Sequence, residues 1–255
     1  MSPSILDFML VIWFLILYNC ILWNVEHGLP FYRVFERMKQ MVNSEKLLDD
    51  VLKKLNIIDE ADIPSIDLYM DQVTTFMDKH LKGSKRFEDD KILTKTMINN
   101  YSKNELLPAP QKKRYTKEHV ILLIFIYYLK NILSINDIKT ILSPLFNSYF
   151  GTSSSISLEE IYTEICQMEH DMVNDIKEDI TDKIADSKQH FLNAPEKERD
   201  FLQLYTLVSS LCFDVYIKKQ MIEGIIDQIN AKADAEAQAS SKENKKSKEA
   251  KNTKN

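Results

Sequence analysis

Nine residues between positions 95 and 115 carry side chains suited to reading or gripping a polyanion. Lys95, Thr96, Asn99, Asn100 and Lys103 fall on the outer face of a short helical pattern, and Lys112, Lys113, Arg114 and Tyr115 follow in a basic run. Asn can bond adenine through two hydrogen bonds, and Lys can reach guanine or phosphate. Lys112, Lys113 and Arg114 would grip phosphates and fix register without reading sequence. With five or six phosphates neutralised, binding would weaken with salt at a log–log slope of about −5. Tyr101 and Tyr115 could donate to phosphate, but packing in the core of a small domain is the favoured reading for both. For the Lys-rich run, a solvated loop is the bland alternative.

The surrounding charge supports an anionic partner. The 255-residue chain has a net charge of −5, with the charges sorted along it. From Lys91 to Lys117 there are seven basic residues and one acid, Glu105. From Ile156 to Asp200 there are thirteen acids and five bases. A basic segment in an acidic chain presents a positive face that the overall balance hides. Enzymatic chemistry finds no foothold, because there is no Gly-rich phosphate loop, nucleophile elbow or HExxH. Cys20, Cys166 and Cys212 lie far apart and make no metal-ligand spacing, so they read as reduced thiols, and neither a cofactor nor a small-molecule ligand is indicated.

The elements that must hold these residues are helical. Four glycines and seven prolines are few for this length, which disfavours a turn-rich β fold. Residues 44–57 form a short amphipathic pattern with Ser44 as N-cap. After Pro64, Ser65 or Asp67 caps a helix whose inner residues are Leu68, Val73, Phe76, Met77 and Leu81, with Gly83 as its stop. The short helix of residues 93–103 has Thr94 as cap and Leu93, Met97, Ile98 and Tyr101 inward. Pro108 and Pro110 exclude helix from the elbow that follows. Thr116, in an incomplete capping box with His119, opens a very apolar helix expected at the centre of a small domain. Ser134 caps a helix ending near Pro144, residues 147–155 read as a linker, and Ser157 opens a long acidic helix. A last helix over about 196–230 is apolar around most of its circumference, and the charged tail of residues 231–255 is expected to be disordered.

The order of these features resembles the MerR-type winged helix-turn-helix. Tyr101, Leu106, Leu107 and Pro108 match its turn, Arg114, Tyr115 and Thr116 match the end of its wing, and Leu133, Ser134, Ile135, Ile138 and Leu142 match its last helix. The resemblance covers about residues 90–142. The paired arginines usual at the recognition helix are replaced by Lys95, Asn99 and Asn100, and the polar loop of residues 82–90 is longer than the family pattern. The stretch from Ile63 to Leu142 is similar, more closely still, to a bacterial family catalogued as domain of unknown function 1836, itself regarded as MerR-like. The implied fold is all-α: a MerR-like winged head with a small wing at 41–146, then long C-terminal helices at 156–230 for dimerisation or regulation. The implied function is a transcriptional regulator reading double-stranded DNA with the 93–103 helix and the 111–115 wing. The alternative is a protein-interaction module, anchored or not to a membrane, that keeps the fold without DNA.

Two further expectations concern partners. Ile161, Ile165, Met168, Met172, Ile176, Ile180 and Ile184 form one stripe, a candidate homodimer seam. Residues 5–23 are nineteen with one charge, Asp7, long enough for a transmembrane helix. Arg33, Arg37 and Lys39 would then place the rest in the cytoplasm. The competing reading is a start-site artefact: codons for Glu36, Arg37 and Met38 can spell a purine-rich ribosome-binding sequence just before Met41, giving a cytoplasmic chain.

Overall fold

The computed structural model describes residues 42–152 and 154–252. The apolar segment at 5–23 lies outside them, and among the described residues no helix is long and apolar enough to cross a membrane. Seven α-helices are described: α1 (Ser44–Lys54), α2 (Met70–Leu81), α3 (Lys95–Lys103), α4 (Lys117–Leu129), α5 (Ile135–Tyr149), α6 (Leu158–Ser187) and α7 (Glu196–Asn252). Two short strands, β1 (Leu68–Tyr69) and β2 (Arg114–Tyr115), pair antiparallel with Leu68 opposite Tyr115 and Tyr69 opposite Arg114. The chain divides into two compact units. Of the described residues, one takes those up to Leu48 with Thr181–Ser210, and the other takes those of Asp49–Ile180 with those from Leu211 onward.

The larger unit is organised by α4. Eight of its thirteen residues are buried, including Val120, Ile121, Leu122, Leu123, Ile124 and Ile126. A helix without a polar face must be covered on every side. The cover comes from Val73, Met77 and Leu81 of α2, Ile98 and Tyr101 of α3, Leu106 and Leu107, and Ile138 and Leu142 of α5. Leu158, Tyr162 and Cys166 of α6 and Ile226 of α7 join the same core. The expected border between a head ending at 146 and a separate region from 156 therefore does not follow the packing, since the first turns of α6 belong to the head. Each such buried side chain contributes about 1.5–3 kcal/mol relative to leaving it in water.

The helix ends follow side-chain chemistry. Ser134 and Asp137 cap each other's backbone at α5, with Asp137 N–H donating to Ser134 Oγ (3.2 Å) and Ser134 N–H to Asp137 Oδ2 (3.2 Å). Ser157 and Glu160 do the same at α6, at 3.1 and 2.7 Å. At α4 the box expected to be incomplete is closed by an imidazole, since Thr116 N–H donates to His119 Nδ1 at 3.0 Å. His119 is buried against Tyr115 and Phe150, ring edge to ring face, and burial pushes its pKa down to about 4.

Several boundaries differ from the sequence expectation. Helix α1 is capped by Asn43, whose Oδ1 accepts from Lys46 N–H at 2.9 Å, and not by Ser44. Helix α2 starts at Met70, not after Ser65 or Asp67, because Leu68 and Tyr69 are taken up by β1; Tyr69 N–H donates to the Gln72 side chain (2.8 Å). Helix α5 runs through Pro144 to Tyr149. The lost backbone donor is offset there by Leu145, Phe146 and Tyr149 packing on the core. The tail expected to be disordered is helical to Asn252. Residues 231–252 extend a helix already nucleated, and Ala, Lys, Glu and Gln propagate it at little cost.

A segment between α1 and α2 is clamped between α4 and α6. Tyr162 donates its hydroxyl to Ile58 C=O (2.5 Å), Cys166 Sγ–H reaches the same oxygen at 3.5 Å, and Tyr128 donates to Asn56 C=O (3.1 Å). Burial holds all three side chains in their neutral forms, with the Tyr128 hydroxyl pushed up to about 12. Among the described residues of the smaller unit, the buried apolar ones are Leu48, Ile184 and Leu207. The α6–α7 turn there is fastened by Gln203 donating to the carbonyls of Lys188 (2.8 Å) and His190 (3.0 Å).

Two stability predictions follow from these contacts. Tyr162→Phe leaves Ile58 C=O with only a thiol donor and should cost about 1–2 kcal/mol in urea unfolding. His119 stays neutral in the fold to about pH 4, whereas the unfolded side chain takes a proton below about pH 6.5. Its contribution is thus intact above 6.5 and declines as pH falls, levelling off below about 4 after a loss on the order of 3 kcal/mol. His119→Gln keeps an acceptor for Thr116 N–H. Urea unfolding at pH 7 and 4.5 should show a smaller acid loss for this variant than for the wild type.

Candidate nucleic-acid interface

Helix α3 is short and polar outside, so its position depends on its ends and inner face. Thr94 Oγ1 accepts from Met97 N–H (3.2 Å) and fixes the first turn. Ile98 and Tyr101 are buried, while Lys95, Thr96, Asn99, Asn100 and Lys103 are all exposed, on the outer side the spacing indicated. The far end closes with Glu105 in the left-handed region (φ 58°), Leu106 N–H donating to Tyr101 C=O at 2.9 Å and Glu105 N–H to Ser102 C=O at 3.2 Å. This is a Schellman-type stop with Glu where Gly or Asn is usual. Leu106 and Leu107 then drive the chain into the core.

The elbow turns back after Pro108 and Pro110. Arg114 N–H donates to Gln111 C=O (2.9 Å), and the two residues between them, Lys112 and Lys113, both have positive φ, 49° and 63°. Two left-handed central residues define a type I′ turn, whose usual occupants are Asn-Gly or Asp-Gly. Left-handed lysines cost on the order of 1 kcal/mol each. The tip therefore places two exposed ammonium groups side by side in a conformation that neither residue favours.

The expected contact residues sort into three sets. Lys95 forms an ion pair with Asp71 of α2, and Arg114 lays its guanidinium over the Tyr69 ring at 5.7 Å. Thr96, Asn99, Lys103, Lys112 and Lys113 have neither an ion pair nor a side-chain hydrogen bond among the described residues, and only the backbone carbonyl of Asn100 is engaged. Tyr115 is a correction: it is 3% exposed, its ring packs edge-on against His119, and burial raises its hydroxyl pKa. It anchors the hairpin to the core and cannot reach a partner's phosphate. Tyr101 is likewise buried.

Sequence reasoning missed β1, the strand that holds the turn from behind. Leu68–Tyr69 is too short for an alternating pattern to register. It also missed the acids that restrain this region. Asp71 holds Lys95, Glu60 holds Lys117 and Glu105 holds Lys139. The Lys139 ammonium keeps the Glu105 carboxyl below the usual carboxylate range. An open groove of about 350 Å³, lined by Pro64, Leu68, Gln72, Thr75 and Phe76, runs beside Asp71.

No curated protein and no solved structure matches the chain. Residues 58–165, which supply most of the core around α4 and display this face, match the family model described as Domain of unknown function (DUF1836).

Proposed function

We propose that the head is a winged helix-turn-helix of MerR-like type, that it binds double-stranded DNA, and that the protein is a non-enzymatic transcriptional regulator of the cytoplasm. Helices α2 and α3 form the helix-turn-helix, and the 111–114 turn is the wing. In this reading Asn99 and Asn100 meet base edges in the major groove, with Lys95, Thr96 and Lys103 beside them. Lys112, Lys113 and Arg114 grip flanking phosphates.

The observation that carries the reading is the wing tip. A turn that calls for Asn-Gly holds Lys-Lys instead, exposed and without ion-pair partners among the described residues. Strained backbone persists where surrounding structure over-determines it, and it concentrates at functional sites. Here the residues that carry the strain also carry the charge. The ion pair on Lys95 is exposed on both sides, so a phosphate can take the place of Asp71 at little cost.

Two measurements test this. The full chain, titrated onto fragments of its own genome that include the region upstream of its gene, should bind selectively with a salt slope of about −5. Absence of binding at low salt by the folded protein would sink the reading. The double variant Lys112→Asn/Lys113→Gly should be more stable than the wild type by about 1 kcal/mol, because the turn is relaxed. The same variant should lose about two units of salt slope, because two cations are gone. Unchanged affinity in a stabilised variant would make the lysines scaffold only.

A further inference from the structure

The base-reading chemistry of α3 is narrower than its charge suggests. Its nine residues include two lysines and two asparagines but no arginine. Successive residues of a helix are turned by about 100°, so the buried Ile98 and Tyr101 set the inward direction. Thr96 and Lys103 then stand opposite the core, with Asn99 and Asn100 about 50° to either side and Lys95 about 90° off, on the flank. That flank meets the start of α2, where Lys95 forms its ion pair with Asp71.

The flank position decides what Lys95 can do. Guanine is read most often by Arg or Lys reaching its O6 and N7. Lys95 is the cation at the N-terminal end of α3, the end whose side chains meet base edges in a helix-turn-helix. Its ammonium is held by Asp71, or by the phosphate that replaces it, and in neither state is it free for a base. Lys103 lies about 10 Å further along the axis than Thr96, beyond the reading end. Thr96 and Asn99 remain there, both exposed and without a side-chain hydrogen bond among the described residues. Asn matches adenine N6 and N7, and the Thr methyl packs on the methyl of thymine. The two residues are about 4.5 Å apart along the helix axis, close to the ~3.4 Å step between base pairs. Asn100, on the far edge, offers a second amide of the same kind.

We propose that α3 reads adjacent A·T pairs through Thr96 and Asn99, and that Asp71 is a specificity-determining residue that keeps Lys95 off guanine. This rests on the DNA-binding reading and adds to it a class of target sequence and a residue that acts without touching a base.

Duplexes selected from a random-sequence pool by the full chain should share A·T pairs at the core of each bound site. Replacing that core by G·C pairs should weaken binding about tenfold or more. Asn99→Ala should level the preference at the adenine position while the salt slope is kept, because no phosphate contact is lost. Asp71→Asn keeps the shape of the side chain and releases Lys95. The sites that this variant selects should admit guanine beside the A·T pairs, and Asp71→Asn/Lys95→Gln should return to the wild-type preference. A wild-type preference for G·C cores, or a preference untouched by Asn99→Ala, would overturn the A·T reading. Wild-type sites selected by Asp71→Asn would overturn the role of Asp71. Binding with a steep salt slope but no base preference would sink this inference alone, whereas no binding at low salt would sink the DNA reading with it.

Discussion

Helix α4 has apolar side chains around its whole circumference, and keeping water off every one of them decides where the other elements go. Helices α2, α3 and α5, the Leu106–Leu107 pair and the first turns of α6 are held by what they place against it. One consequence is a division of labour within α3 and the hairpin. Ile98, Tyr101, Leu106, Leu107 and Tyr115 fix their positions, so the outward side chains of Asn99, Asn100, Lys103, Lys112 and Lys113 carry no ion pair or side-chain hydrogen bond among the described residues. Another is that the polar links around α4 must be complete. Ile58 C=O receives two donors, and buried His119 closes a helix cap with one ring nitrogen. His119 Nε2 and Ser102 Oγ are the buried side-chain atoms of this unit that lack a hydrogen-bond partner among the described residues.

The distribution of charge follows a second constraint. Two of the basic segment's cations close to the body of the unit are tied down, Lys95 by Asp71 and Lys117 by Glu60. Those at the turn tip are not, and the guanidinium behind them rests on an aromatic ring instead of a carboxylate. Helix α6 carries the opposing acids, several of them exposed, so the chain keeps both signs without neutralising the tip. Exposed pairs of this kind contribute little to stability. Their effect is on what the surface attracts.

Much of this was legible in the sequence. Thr94, Ser134 and Ser157 announce their helices because a hydroxyl before an apolar run satisfies orphan amides, and the inward and outward faces of α3 follow from its spacing. What was not legible depends on partners distant in the chain. Strand β1 exists only because Arg114–Tyr115 lies beside it, some forty-five residues later. A tyrosine in a basic run looks available for contact, yet the Tyr115 ring packs against His119. Pro144 and the 231–252 tail read as breaks by local rule. Packing in one case and continuation of an existing helix in the other override the rule. The left-handed lysines have no sequence signature, since nothing in Lys-Lys forecasts positive φ.

Those two lysines also bear on the order in which the head assembles. A hairpin whose turn residues favour its conformation can start pairing by itself, before the rest of the chain collapses. The Gln111–Arg114 turn cannot, because its own residues oppose it. Nor can two strands of two residues supply enough cross-strand contact to compensate. The pairing of β1 with β2 therefore comes after Leu106, Leu107 and Tyr115 have docked on α4. The paired ammonium groups are thus a late feature of folding. An isolated peptide spanning the elbow has the same charges but not their arrangement, and in the intact chain that arrangement reports that the core beneath it has formed.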